Sequence, residues 1–313
     1  MRDFLETYGT AVAGLVLLIF FAIAAPNFAA PGNLLNVLKE TSFLAILALG
    51  FTLALINAEL DLSVADVASL AAVVAGALIQ GGHPVAVGVA GGLLVGLACG
   101  LGNGMAVTVL RVPSLIATLG MAAIARGLAF ALTDGVSFVG RWPTGYTGLG
   151  RGAWLGVPAP VWWLAGVTLG ALFLVKWTRT GARMTATGEA GESARLAGIN
   201  IRAMKCLGLA LAGLLAGATA VLLTASLSSA APNMAGDYFL YAIASVLLGM
   251  TMFEPGRANV PGTLVGALTL KVLGNGLVLM GAPYYVQDIV LGAIIIASVA
   301  LSATVLKKTA FKF

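Results

Sequence analysis

The chain has 313 residues, of which 60% are hydrophobic and 9% charged, with a mean hydropathy of +1.02. Soluble domains average about 45–50% apolar and about 25% charged residues, so a soluble globular fold is excluded and a membrane protein with many crossings is predicted. A net charge of +5 and a pI of 9.4 would point to nucleic acid in a soluble protein; here they reflect basic loops retained on the cytoplasmic side, and no nucleic-acid partner is expected.

At roughly 20 apolar residues per crossing, the length accommodates about ten spans and leaves no room for a separate soluble domain. The predicted spans are 10–25, 42–57, 64–80, 85–108, 114–133, 159–177, 206–228, 237–251, 259–280 and 285–306. They describe an all-α, polytopic transmembrane helical bundle in one domain, 1–313.

Arg2 followed by the apolar run Thr10–Ala25 mimics a secretory signal; because further spans follow, an uncleaved first helix is predicted. Pro31–Glu40 places Asn33 and Asn36 on an amphipathic pattern and is expected to lie along the outer interface. The second and third segments are short, and the turn between them, Asn57–Asp66, is acidic. It is read both as irregular backbone lining a cavity and as a helix start, since Ser63 and Asp66 have S-x-x-D capping spacing.

Glycines 88, 92, 96, 100 and 104 stripe one face of the fourth span, a pattern for close helix packing rather than chemistry. The pentapeptide Leu101-Gly-Asn-Gly-Met105 recurs as Leu273-Gly-Asn-Gly-Leu277, five spans later and therefore in the opposite direction. That is the signature of a five-plus-five inverted repeat. Charges within spans are costly and are functional candidates by default: Arg126 in the fifth span, Lys271 deep in the ninth, Asp288 one turn into the tenth. Lys271 is expected to face a helix contact or a pathway rather than lipid. His83, in a Gly-Gly-His-Pro turn, is expected to be exposed. Cys99 and Cys206 lie in or beside apolar segments without metal-type spacing, so neither a disulfide framework nor a metal site is inferred.

The one long basic interval, Lys176–Lys205, holds six basic residues against Glu189 and Glu192. It places the loop of about 178–205 in the cytoplasm, and with it Arg257 and both termini, including Arg2, Lys307, Lys308 and Lys312. The 134–158 loop falls outside, so Arg141 and Arg151 run against the rule. The basic loop is read as a docking surface for a cytoplasmic partner, its plain alternative being a solvated connector. There is no G-x-x-x-x-G-K-[ST] phosphate loop, no H-E-x-x-H, no G-x-S-x-G and no Cys/His cluster. No chemistry and no cofactor are therefore expected of the chain itself, and if ATP drives transport another subunit uses it.

Four ordered pieces carry a family resemblance: Asp61-Leu-Ser-Val64; Val112-Pro-Ser-Leu-Ile-Ala-Thr-Leu-Gly120 with Arg126-Gly127; Thr180-Gly-Ala-Arg183 with Ala194-Arg-Leu-Ala-Gly-Ile199; and Gly262-Thr263, Gly266-Ala267 and Asn275-Gly276. From about Asn33 to Leu301 the chain resembles the permease subunits of bacterial binding-protein-dependent ABC importers of the ribose, xylose and galactose type. The resemblance implies import of a monosaccharide or sugar-like solute across the bacterial inner membrane. It implies three partners: a cytoplasmic ABC ATPase subunit, a periplasmic or extracellular solute-binding protein, and a second copy of the chain.

It also implies that Gly188–Asn200 is a coupling helix, with Glu189, Glu192, Arg195, Leu196, Gly198 and Ile199 meeting the ATPase. The spacing agrees, since Glu189, Glu192 and Arg195 at i, i+3 and i+6 give a charged face and Leu196 and Ile199 an apolar contact. Pathway candidates are Asn57, Asp61, Ser63, Thr118, Lys271 and Asn275. The chain departs from the family pattern at Ala65, at Ala58-Glu59, at Ala190, at Phe239-Leu-Tyr241, at Gly249-Met-Thr-Met252 and at Glu254-Pro255, which bears on the solute more than on the fold. The alternatives are a branched-chain amino-acid or nucleoside ABC importer permease, an ion-coupled secondary transporter using Lys271, Glu59 or Asp288, and a passive channel.

Overall fold

A computed structural model describes the backbone of residues 2–310 and the side chains of residues 8–300; the side chains of Arg2, Lys307, Lys308 and Lys312 lie outside the described residues. In chain order the elements are α1 (Arg2–Ala24), α2 (Pro31–Leu55), α3 (Val64–Gln80), α4 (Val85–Thr108), α5 (Ser114–Thr133), β1 (Phe138–Val139), α6 (Thr144–Arg151), β2 (Ala153–Trp154), β3 (Val157–Pro158), α7 (Ala159–Trp177), α8 (Arg179–Glu189), α9 (Gly191–Leu196), α10 (Ile201–Leu227), β4 (Ser229–Ala230), α11 (Tyr238–Gly249), α12 (Val260–Leu279) and α13 (Tyr284–Ala310). Among the described residues, α2, α4, α5, α7, α10 and α12 are long and apolar enough to cross a membrane, and shorter apolar helices occupy Tyr8–Ala24, Val64–Gln80, Tyr238–Gly249 and Tyr284–Ala300. These are the predicted segments, most boundaries moved by a few residues, with α1 starting at Arg2 and α2 at Pro31 ahead of the predicted 10 and 42.

The expected interfacial segment is absent among the described residues. Pro31–Glu40 is not a separate interfacial segment but the first half of the continuous helix α2. Pro31 sits in the first turn, where its missing N–H removes no helical bond. The polar face points at α12 instead of at headgroups: Asn33 and Asn275 exchange side-chain hydrogen bonds of 2.9 and 3.1 Å.

The bundle is held by backbone proximity. In α4, Gly96 and Gly100 lie against the backbone of α10, where an added Cβ would strike the carbonyls of Gly213 and Leu209, and Gly104 lies against Cys206. Gly88 and Gly92 make room instead for side chains, of Ile79 at Gly88 and of Val221 and Ala75 at Gly92. The glycine stripe is therefore a packing surface, as predicted, and dispersion between closely approaching backbones holds the pair together in lipid.

The inverted repeat is visible in which helices touch. In the first half α3 packs on α4 and α5, α4 on α5, and both α3 and α4 on α10. In the second half α11 packs on α12 and α13, α12 on α13, and both α11 and α12 on α2. The two sets exchange under one operation that swaps α2 with α10, and these two helices contact each other at the centre.

At the end of the bundle opposite the basic loop, β1 pairs with β4, and α6 packs on the last turns of α10. Tyr146 shares a 2.7 Å hydrogen bond with Thr224, and Arg151 Nε donates to the Ser226 carbonyl at 2.5 Å. Arg151, which the predicted orientation sets against the positive-inside pattern, thus satisfies a carbonyl at the C-terminal end of α10, where a cation is favoured.

Candidate functional site

Beyond Leu55 the chain leaves the helix, with Ala58 in the left-handed region at φ 58°, and turns back into α3 through Asn57, Glu59, Asp61 and Ser63, all buried. Asp61 Oδ1 accepts from Ser63 N–H at 3.0 Å, from Ser63 Oγ at 2.5 Å and from Asn103 Nδ2 at 3.4 Å. Asn103 also donates to Ser63 Oγ at 2.8 Å. Thr118 Oγ1 accepts from the Leu62 N–H at 3.1 Å and donates to the Leu60 carbonyl at 3.2 Å. Four of the predicted pathway residues, Asn57, Asp61, Ser63 and Thr118, therefore occur on or against one turn. Burial pushes the Asp61 carboxyl up to about 6, opposed by its bonds from Ser63.

Ser63 does precede α3, but its side chain does not cap the helix, because Asp61 and Asn103 engage the hydroxyl. Asp66 does stand in the first turn of α3, where an acid is favoured, as the spacing predicts. It accepts two bonds from Arg126, at 2.9 and 3.1 Å. This pair stands on the wall of a 590 Å³ cavity lined by Leu62, Leu119, Asn233 and Asp237 among others. Arg126 remains 60% exposed at its side chain although it lies well inside α5.

The loop end of the bundle is knitted to that turn. Gly188, near the end of α8, lies so close to the Ile56 carbonyl that a Cβ would collide with it. Glu59, 5% exposed at its side chain, pairs with Lys205 in the first turns of α10 at 2.5 Å. Arg257 pairs with Glu189 at 3.0 Å, and Lys176 pairs with Glu254. The expected single coupling helix is broken at Ala190 (φ −149°, ψ 65°), which ends α8 and starts the short α9. The break takes Glu189 off the face that carries Glu192 and Arg195. Those two pair with each other at 2.9 Å and remain exposed, Leu196 beside them is 82% exposed, and Gly198 takes φ +82° to turn the chain past Ile199 into α10.

Lys271 and Asn275 belong to a separate group. Lys271 Nζ lies 4.7 Å from the Tyr238 ring centroid, 5.8 Å from that of Tyr241 and 3.9 Å from Glu40 Oε2. Tyr238 donates to the same Glu40 oxygen at 3.3 Å. As predicted, Lys271 faces helix contacts. It lines a 220 Å³ cavity with Asn36, Glu40 and Asn275, and a 770 Å³ cavity with Asp237, Tyr284 and Asp288.

Residues 33–299 match the family described as branched-chain amino acid transport system, permease component. The chain belongs to this permease family. It is 39% identical to the ribose import permease of Escherichia coli strain K12 over 92% of its own length and 91% of that chain. It is 32% identical to the L-arabinose ABC transporter permease of Azospirillum brasilense, covering 93% and 86%, and 30% identical to the D-allose transport system permease of E. coli strain K12, covering 97% and 94%. A solved inward-facing ABC transporter assigned to the metal-chelate type superposes with a TM-score of 0.54 at 14% identity, covering 97% of this chain and 99% of that one; the likeness extends to the fold. The permease is thus a transport subunit rather than an enzyme.

Sequence reasoning missed several of the permease's contacts. Asn103 carried a signal, since it is the asparagine of the first L-G-N-G pentapeptide. Glu40, Tyr238 and Tyr241 carried none, because only the approach of α2, α11 and α12 brings them to Lys271. The Glu59–Lys205 and Asp66–Arg126 pairs join residues 146 and 60 positions apart in sequence, beyond any local pattern.

Proposed function

We propose that the permease imports a monosaccharide as the membrane subunit of an ATP-driven, binding-protein-dependent importer in the bacterial inner membrane. The observation that carries this reading is near-full-length similarity, at 30–39% identity, to permeases named for ribose, L-arabinose and D-allose. That similarity favours a sugar over the branched-chain amino acid in the family's description.

In this reading the basic loop and both termini are cytoplasmic, and the exposed Glu192, Arg195 and Leu196 of α9 enter the ATPase subunit. Closure of the ATPase moves α8, and the Gly188–Ile56 contact with the Glu59–Lys205 pair carries the motion to the α2–α3 turn. A guanidinium exposed in mid-span is costly against hydrocarbon. The Arg126 face therefore suits a wet pathway shared with a second copy of the chain, which receives solute from an external binding protein.

The test is reconstitution in proteoliposomes with the ATPase and binding protein from the same operon, followed by uptake of radiolabelled D-ribose, L-arabinose, D-allose and L-leucine. ATP-dependent accumulation of a sugar and not of leucine is expected. Accumulation of leucine alone, or sugar accumulation without ATP, overturns the reading.

A further inference from the structure

The gap between α11 and α13 is the repeat counterpart of the gap between α3 and α5. Both hold a cation on or near the midpoint of a span, but the two cations are treated differently. In the first gap Arg126 donates two hydrogen bonds to Asp66, so its charge has a hydrogen-bonded counter-ion although the side chain stays 60% exposed. In the second, Lys271 Nζ makes no hydrogen bond among the described residues. The carboxylate paired with it, Glu40, is 3.9 Å away, and the rings of Tyr238 and Tyr241 supply cation–π contact only. An interior ammonium with three unused donors is an unfavourable arrangement unless something accepts from it, and ring contact offsets only part of that cost. Lys271 lines the 220 Å³ and the 770 Å³ cavities, as do Tyr241 and Gln287.

The remaining lining says what could accept. Asp237 and Asp288 face the larger cavity and Glu40 the smaller, so carboxylates outnumber the one ammonium. That balance disfavours a phosphate or a sugar acid, and the ammonium at the junction disfavours a cation. A neutral solute rich in hydroxyls satisfies both, because each hydroxyl accepts from Lys271 or Gln287 and donates to a carboxylate. Tyrosine rings supply flat apolar surface for the C–H face of such a solute, as aromatic side chains commonly do in ligand pockets. The 770 Å³ volume falls within the usual range of small-molecule sites, about 300–1,000 Å³. Gly236 and Asp237 line this cavity and the Arg126 cavity alike, so an occupant would adjoin the proposed pathway.

We propose that the cavity between α2, α11, α12 and α13 is a monosaccharide-binding site within one protomer, with Lys271 donating to the sugar oxygens and Tyr241 stacking on its ring. The proposal rests on the reading of the chain as a sugar permease. The test uses the purified permease in nanodiscs, without ATPase or binding protein, titrated calorimetrically with D-ribose, L-arabinose, D-allose and L-leucine. Binding of at least one of the three sugars, and not of leucine, is expected. Lys271→Met and Tyr241→Leu should each weaken that binding at least tenfold, whereas Tyr241→Phe, which keeps the ring, should stay within threefold of wild type.

Melting of each variant without sugar controls for folding, and Tyr241→Phe against Tyr241→Leu remains informative should Lys271→Met fail to fold. No sugar binding by the wild-type chain, binding of leucine instead, or equal sugar affinity in all variants overturns the site. Sugar uptake by the full reconstituted importer with no binding to the isolated permease defeats the site and leaves the function standing. Absence of sugar uptake by the full importer defeats the function itself.

Discussion

The Glu59–Lys205 pair is where the basic loop and the buried α2–α3 turn meet, and breaking it from its two sides should have unequal effects. Glu59 is 5% exposed at its side chain and Lys205 is 32% exposed, with 2.5 Å between the charges. Removing Lys205 leaves a carboxylate inside the protein without its counter-ion, which for buried pairs costs about 3–5 kcal/mol. Water that already reaches Lys205 can partly solvate the carboxylate, so Lys205→Met should fall near the lower end, about 3 kcal/mol. Glu59→Gln removes the buried charge itself, and the freed ammonium turns to water, so about 1 kcal/mol is expected, the scale of one ordinary hydrogen bond. The double variant should cost less than the sum of the singles, with a coupling of about 1–3 kcal/mol. Reversible denaturation in detergent measures the stabilities. In proteoliposomes both single variants should retain ATPase binding, while solute moved per ATP hydrolysed falls. Equal, additive effects below about 0.5 kcal/mol with unchanged transport stoichiometry would refute the argument, because then the pair neither stabilises the turn nor transmits motion.

Gly96→Val should abolish the α4–α10 contact, since its Cβ would strike the Gly213 carbonyl; over-packing against backbone should cost about 3 kcal/mol or more and appear as lost expression, whereas Gly120→Ala, with no heavy atom near the added Cβ, should be neutral by the same measure. Asp61 should make the permease less stable as pH rises. Its folded pKa of about 6 lies above the usual 3.8, so the folded state holds the extra proton between those values, and stability present below about pH 4 is lost by about pH 6, to the extent of about 3 kcal/mol. Asp61→Asn should flatten that melting profile, and a profile as steep as the wild type's would assign the effect elsewhere. Leu196→Asp should leave membrane insertion intact yet prevent co-purification of the ATPase from detergent; retention of the ATPase with full uptake would return the loop to an ordinary connector.

The parts of this fold that were legible in the sequence are those that lipid imposes. A span must be apolar for about 20 residues, so the crossings could be read directly, and a close helix pair must carry small residues on one face, so α4 declared its packing through its glycines. The α2–α3 turn was legible as an irregularity because Asp61 and Ser63 are polar in a chain that is otherwise apolar there. What the sequence left open depended on direction. Asn33, Asn36 and Glu40 form the same amphipathic pattern whether they face headgroups or a polar cavity, and only the neighbouring helix α12 decides between them. The Ser63 cap in the S-x-x-D spacing failed for the same reason, since Asn103 of α4, distant in sequence, engages that hydroxyl.

The repeat explains why two similar pentapeptides serve different ends. Asn103 and Asn275 occupy corresponding places on α4 and α12, and each uses its amide to reach a helix or turn of the first half. Asn103 donates to Ser63 and Asp61, at the end of the bundle where α8 presses on Ile56. Asn275 exchanges bonds with Asn33 near the start of α2. Because the two halves run in opposite directions, equivalent residues are delivered to opposite ends of α2, one beside the basic loop and one beside the Lys271 cavity. α2 is also buried along most of its length and packs on α7, α10, α11 and α12. One asparagine of the repeat thus holds the turn that follows α2 and the other holds its first turn. If α8 displaces Ile56, as the proposed coupling requires, the buried and closely packed α2 carries that displacement toward Glu40, which pairs with Lys271.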